Sequence, residues 1–169
     1  MTQDEIPADD ILARLGIPGD CDRGIVSIIE YWRSIAPGEA LPGRQHFDPT
    51  DIPRLLRDIW LIDVSRDPLD FSFRLVGTAV VDFFGKDPTG SRLEDTFPDF
   101  RSGVAYRDLA DVANVAEARF RRGAPTLAPG SKIERLERVY LPMARNGKDV
   151  DMILCFTVFN PRPSDQGAS

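Results

Sequence analysis

An arginine inside an apolar stretch is the residue of this sequence that most directly suggests a binding site. Arg74 lies between Phe73 and Leu75, in a run whose apolar residues alternate with the two-residue period of a strand. Burying a guanidinium without a partner costs free energy. Two interpretations therefore stay open: Arg74 forms a salt bridge on the outer face of a sheet, or it anchors an anionic or carbonyl-bearing ligand.

Aromatic residues could line a cavity beside such an anchor. They are spread over several predicted strands and helices, at spacings that also suit an ordinary hydrophobic core. Cavity lining and simple packing are therefore both open. The candidate cavity residues are Trp60, Phe73, Phe83, Phe84, Tyr106 and Tyr140.

Patterns typical of catalysis or metal binding are not found in the sequence. His46 is the single histidine, and Cys21 and Cys155 lie far apart and outside any C-x-x-C pair, so neither a catalytic triad nor a zinc site is expected. The segment 85–91 has glycines spaced like those of a phosphate-binding loop, but Ser91 occupies the position of the essential lysine. We interpret this segment as a helix end followed by a turn, and we expect a protein that is not an enzyme.

The charge and hydropathy patterns exclude two classes of partner. The chain carries 21 basic and 27 acidic residues, and six of the acids fall in the first 22 residues, so no basic stripe for nucleic-acid binding is present. The apolar run 152–159 is far shorter than the roughly 20 residues of a membrane-spanning helix. The amino terminus opens with acids instead of a basic and apolar leader. We expect a cytoplasmic protein.

The hydrophobic periodicity predicts one domain of helices and strands. Residues 1–21 form an acidic lead with at most one short helix, residues 22–159 a single domain, and residues 160–169 a polar tail. We predict an amphipathic helix over 22–36, a shorter helix after Asp48, and a short helix over 78–85 that Gly85 ends. A long helix is predicted from Asp99 to Arg122. The predicted strands are 59–64, 71–76, 126–133, 136–143 and 150–159, with a tight turn at Asn146-Gly147.

This order of elements predicts an α+β fold in which one antiparallel sheet carries a helical layer on one face. Several strings occur in the same order in a known family: Tyr31-Trp32, Leu41-Pro42-Gly43-Arg44, Phe47 to Ile52, Arg74 to Thr78, Gly85 to Gly90, and Tyr140-Leu141-Pro142. In them the chain resembles the small, stand-alone PAS-like proteins common in alphaproteobacteria, over about residues 25–159. The resemblance implies a PAS-like five-stranded sheet of spatial order 2-1-5-4-3 that encloses a small cavity.

The resemblance also bears on cofactors and function. Flavin photosensors of this fold need a cysteine in the segment that corresponds to 78–85, which has none, and His46 precedes the sheet, where it cannot ligate a haem in the cavity. The cofactor is therefore unknown. Two functions stay open: a sensory module that binds a small molecule and signals to a protein partner, or a ligand-free adaptor for protein interaction.

The last strand suggests an interaction surface, because its two faces are both apolar. Either the helix over 22–36 covers the outer face within the chain, or two copies bury their apolar faces together. PAS-like proteins often dimerise in this way, so we predict a homodimer. The candidate interface residues are Ile25, Ile28, Ile29, Trp32, Ile153 and Phe159.

Overall fold

A five-stranded antiparallel sheet organises the structure, a computed structural model that describes residues 7–128 and 131–161. The strands run in the spatial order β2-β1-β5-β4-β3, which confirms the predicted topology. The strands are β1 (Ile59–Ser65), β2 (Asp70–Val76), β3 (Arg119–Gly123), β4 (Leu136–Met143) and β5 (Met152–Phe159). The helices are α1 (Ala8–Arg14), α2 (Arg23–Ser34), α3 (Thr78–Phe84), α4 (Leu93–Thr96) and α5 (Val104–Val115).

Helix α2 covers the outer face of the sheet within the same chain. It begins where the Asp22 side chain accepts a hydrogen bond of 2.7 Å from the Gly24 amide, as expected of a capping residue. Its apolar stripe of Ile25, Ile28 and Ile29 is fully buried in an outer cluster with residues of β1, β4 and β5. The first of the two alternatives for covering the sheet is therefore the one that the structure adopts.

This packing changes the description of the candidate dimer interface. The three isoleucines of α2 are buried in the single chain, and Trp32 donates a hydrogen bond of 2.9 Å from Nε1 to the Pro142 carbonyl. Ile153 and Phe159 lie on the opposite, inner face of the sheet. The sheet itself therefore separates Ile153 and Phe159 from the four residues of α2, because side chains that alternate along a strand lie on opposite faces. The six residues do not form one exposed surface. The homodimer itself stays a prediction.

Strand β4 connects α2 to the sheet through a buried charge. Glu137 is 2% exposed and accepts a hydrogen bond of 2.9 Å at Oε1 from the backbone amide of Asp22, directly before α2. Arg122 of β3 lies 3.4 Å from the other carboxylate oxygen. The start of α2 is thus fixed to the middle of the sheet by a paired carboxylate.

Helices α3, α4 and α5 cover the inner face of the sheet. Val80, Leu93 and Leu109, one from each helix, are buried there with residues of all the central strands. Gly85 follows α3 with φ 78°, so the predicted left-handed helix end is confirmed. The inner face is therefore closed off from bulk water along most of its length.

The third strand begins earlier in the chain than the sequence predicted. Helix α5 ends at Val115 because Ala116 adopts a left-handed conformation with φ 61°, and the chain continues directly into β3. The predicted strand over 126–133 is wrong: its described residues, 126–128 and 131–133, contain no strand. The predicted cap at Asp99 is also wrong, since this residue has φ 63° and makes no capping hydrogen bond. In the sequence, the basic residues of β3 were interpreted as the end of a helix. The strand is too short to show a clear two-residue alternation.

Two smaller predictions differ in detail. The helix expected after Asp48 is a pair of short 3-10 turns, Pro49–Asp51 and Leu56–Asp58, although Asp48 does cap the first of them through Thr50. Pro53 lies between the turns and lacks the amide that a continuous helix needs.

Residues 1–6 of the acidic lead and 162–169 of the tail lie outside the described residues. No helix in the described part of the chain is long and apolar enough to cross a membrane.

We predict that Ile28→Ala lowers the free energy of unfolding by about 2–5 kcal/mol, because it leaves a cavity between α2 and the sheet. The measurement is denaturant unfolding followed by circular dichroism. Val115→Ala is the matched control, since Val115 is 56% exposed and its substitution should change stability by less than about 0.5 kcal/mol. Equal stability of the two variants would contradict the intramolecular covering of the outer face.

Candidate functional site

A fully buried arginine lies on the inner face of the sheet. Arg138 belongs to β4 and is 2% exposed, so its guanidinium is almost completely removed from water. Its Nε donates a hydrogen bond of 2.8 Å to Thr157 Oγ1, and its Nη1 lies 3.4 Å from the Tyr140 hydroxyl. Such a position is rare for arginine unless a charged partner is present.

Two aromatic rings hold the guanidinium. The central carbon of the group lies 4.9 Å from the centre of the Trp60 ring and 5.9 Å from that of Tyr140. Trp60 also donates a hydrogen bond of 3.1 Å from Nε1 to Thr157 Oγ1. These four residues, Arg138, Thr157, Tyr140 and Trp60, are called the Arg138 site below. The contacts combine cation–π attraction with hydrogen bonds to uncharged hydroxyl acceptors.

The Arg138 site contains no negative charge. Within residues 7–128 and 131–161, no carboxylate lies within 4.0 Å of the guanidinium. Nη2 makes no hydrogen bond in this part of the chain, yet no fully buried polar side-chain atom here lacks a partner. Nη2 therefore keeps some surface that water can reach. A buried guanidinium with no carboxylate partner and a nitrogen that makes no hydrogen bond is a candidate binding group.

The neighbouring arginine shows the contrast. Arg121 lies opposite Arg138 in the β3–β4 pairing, but both of its hydrogen-bonded nitrogens contact Asp108 of α5, with Nη2 at 2.8 Å from Oδ1. Asp108 is 7% exposed, and this two-point pairing satisfies its charge. Arg121 is therefore neutralised by a carboxylate of α5, whereas Arg138, directly opposite it, is not.

A cleft of about 580 Å³ opens beside the inner face. Phe84 belongs both to its wall and to the inner cluster, and the Phe84 ring centre lies 6.0 Å from that of Trp60. None of the four residues of the Arg138 site is part of the cleft lining, and the Phe84 ring lies between the two features as their shared neighbour. Other lining residues are Phe97, Val104, Ala105 and Leu127, with Lys86 and Asp99 as charged members.

Arg74, the predicted anchor, lies elsewhere. Its side chain is 63% exposed, and Nη1 lies 3.9 Å from Asp63 on the outer face. A bulge in the β1–β2 pairing leaves Arg74 unpaired between Phe73 and Leu75, so Leu75 joins the outer cluster. The salt-bridge alternative describes this residue, and Arg74 does not share a site with the aromatic residues.

The six candidate aromatic residues do not form a single lining. Trp60, Tyr140 and Phe73 are buried in the inner cluster, with Phe84 packed against it. Phe83 contacts Phe84 and Phe159, while Tyr106 packs with Phe71 and Phe100 near the other end of β2. Of the six, the structure brings Trp60 and Tyr140 into contact with Arg138.

Sequence reasoning missed Arg138 and Thr157, although a signal was present. The sheet order places β4 between β3 and β5, while β2 lies at the edge. A charged residue in an interior strand covered on both faces is largely removed from water, so the desolvation argument applies to Arg138 with more force than to Arg74. Arg138 also alternates with Tyr140 on the inner face.

Other chemically active groups are inert or structural. Burial raises the pKa of the Cys155 thiol far above its ordinary value, so it stays protonated at neutral pH. Burial and the nearby Glu137 raise the pKa of Cys21 to about 11. His46 accepts a hydrogen bond of 2.9 Å from the Gly43 amide, and the part of the chain that the structure describes holds no cluster of residues suited to a metal ion.

Comparison with known proteins gives a family match. A family model described as a PAS domain matches residues 22–156. No curated protein matches the chain. Among solved structures, the chain is similar to the PAS domain from Bordetella pertussis BvgS, with 18% identity and a TM-score of 0.39 over 68% of this chain and 87% of that chain.

We predict that Arg138→Met raises the free energy of unfolding by about 1 kcal/mol or more in ligand-free protein. Replacing an uncompensated buried charge by an apolar side chain of similar length removes its desolvation cost. Thermal unfolding and denaturant titration measure the change. Arg74→Met, at an exposed arginine, is the control and should shift stability by less than about 0.5 kcal/mol. A clear loss of stability in Arg138→Met alone would assign Arg138 a structural role instead.

Proposed function

Since the chain belongs to the PAS domain family, we propose that it is a sensory module that binds a small molecule at the Arg138 site and passes the bound state to a protein partner. PAS domains are generally sensory modules, and a role without catalysis is part of the proposal. So is a cytoplasmic location, with which the two buried free cysteines are compatible.

The observation that carries the proposal is the uncompensated charge of Arg138. Its guanidinium is held in place by Thr157 and by two aromatic rings, and within the described residues its Nη2 makes no hydrogen bond. Keeping such a group away from water lowers the stability of the folded domain, and a purely structural role does not require it. A ligand that supplies the missing partner recovers this cost, which gives a direct source of binding energy.

The ligand-free adaptor is the competing function. An adaptor needs a stable fold and an outer surface, but it gains nothing from a charge buried on the inner face. The cleft beside Phe84 also has a volume within the roughly 300–1,000 Å³ typical of ligand pockets. Both features favour the sensory function.

Signalling through protein contacts, in a homodimer or with another protein, needs an exposed surface. The apolar stripe of α2 is buried, so this surface consists of other residues. We expect light scattering at micromolar concentration to give twice the chain mass of 18.8 kDa. The mass of a single chain would contradict the homodimer.

Native mass spectrometry of freshly purified protein tests the binding function. We expect a small molecule retained on the wild type and on Arg74→Met, but absent from Arg138→Met, because only Arg138 lies at the site. The Arg74 variant removes the same chemical group from the protein surface and therefore controls for general charge effects.

One outcome would contradict the binding function, and another would contradict its assignment to Arg138. One is a bare wild-type chain that also shows no change in melting temperature with any compound of a diverse small-molecule library; the adaptor would then be favoured. The other is a retained molecule that is equally abundant on all three proteins, which would place its site away from Arg138.

A further inference from the structure

The hydrogen-bonding groups of the Arg138 site restrict the ligand to one chemical class. Building on the proposed function, we propose that this site takes a small monocarboxylate whose apolar body lies along the aromatic rings toward the cleft. The inference concerns the ligand class, which the sensory function alone leaves open.

The first step is the balance of donors and acceptors. Thr157 Oγ1 accepts hydrogen bonds from Arg138 Nε and Trp60 Nε1, and the Tyr140 hydroxyl accepts from Arg138 Nη1. Neither hydroxyl donates its own proton to an acceptor within the described ranges 7–128 and 131–161, and Arg138 Nη2 donates to none there. Three groups therefore have hydrogens to donate, and the acceptors are already occupied. The ligand has to supply acceptor oxygens.

The second step is the charge. Arg121, the neighbouring cation, is already neutralised by Asp108, so the site offers a single positive charge. A monoanion balances it, while a dianion such as a phosphate monoester would bring a second, unbalanced charge into a largely dehydrated environment. A carboxylate carries one charge on two acceptor oxygens and matches the planar fork of a guanidinium.

The third step is the body of the ligand. The groups around the guanidinium are rings and a protonated thiol: Trp60, Tyr140 and Cys155 are all completely buried. On the side of the cleft, the Trp60 ring contacts Phe84, which is partly buried and packs against Phe97 with ring centres 5.0 Å apart. Apolar side chains also dominate the cleft wall. A carboxylate with an aromatic or aliphatic body suits these apolar surroundings, whereas a sugar acid or another polar body would leave its hydroxyls without partners.

The test compares acids with their neutral amides. The probes are phenylacetate with phenylacetamide, 2-naphthoate with 2-naphthamide, and decanoate with decanamide, and phenyl phosphate is added as the dianion. Each is titrated by isothermal calorimetry against the wild type, Arg138→Met, Arg138→Lys and Arg74→Met. The amides keep the shape of the acids but remove the negative charge.

We expect at least one acid to bind the wild type at least about tenfold more tightly than its amide, a difference of about 1.4 kcal/mol. The preference should disappear in Arg138→Met, remain in Arg74→Met, and be reduced in Arg138→Lys, which keeps the charge but loses the planar fork. Cooperative thermal unfolding of each variant confirms that it is folded.

The inference is overturned if no pair shows a preference for the acid that depends on Arg138, or if phenyl phosphate binds through Arg138 more tightly than every acid. A small molecule that is retained in native mass spectrometry would in either case leave the sensory function standing. A wild type that retains nothing and binds no compound at all removes both proposals together.

Discussion

The central strands of the sheet are buried on both faces, and the rest of the structure follows from this constraint. Strands β1, β4 and β5 place apolar residues on both sides, so the sheet needs a layer of protein above and below it. Helices α3 to α5 supply one layer, and α2 with α1 supplies the other. The hydrogen bond from Asp22 to Glu137 holds the start of the second layer on β4.

Closing both faces also gives the inner face its chemical character. Without nearby water, an electrostatic interaction is strong when satisfied and costly when it is not. The pairing of Arg121 with Asp108 is the satisfied case, and Arg138 is the costly one. Arg138 and Thr157 lie on adjacent strands, where the sheet fixes their positions more precisely than a loop would.

Periodicity in the sequence was sufficient for the strands that carry the core, but not for the site. β1, β2, β4 and β5 follow clear alternating or continuous apolar runs, and they were placed to within two residues. β3 was misplaced because α5 ends at Ala116, an alanine in the left-handed conformation. Glycine is the residue that usually indicates such a helix end in a sequence. Helix α2 was predicted correctly because its apolar stripe has a simple helical period.

The site required knowledge of which strand lies inside the sheet. Two arginines each follow an apolar pattern, and their local sequences do not distinguish a bulged edge position, Arg74, from an interior one, Arg138. Cross-strand neighbours make the difference: Thr157 lies opposite Arg138, and Trp60 lies one strand further. The contact from Arg138 to Thr157 spans 19 positions and that from Trp60 to Thr157 spans 97, so local spacing cannot reveal them.

Glu137 and Arg138 are consecutive residues of β4, and they carry opposite charges into opposite layers of the protein. A slip of β4 by one position would place the carboxylate among aromatic rings and the guanidinium beneath α2, with each group losing its present hydrogen bonds. A slip by two would bring Arg135 or Val139 to the place of Glu137, and Leu136 or Tyr140 to the place of Arg138. The Asp22 amide and Thr157 would then lose their present partners. The two neighbouring charges therefore favour a single register of β4 against the adjacent strands.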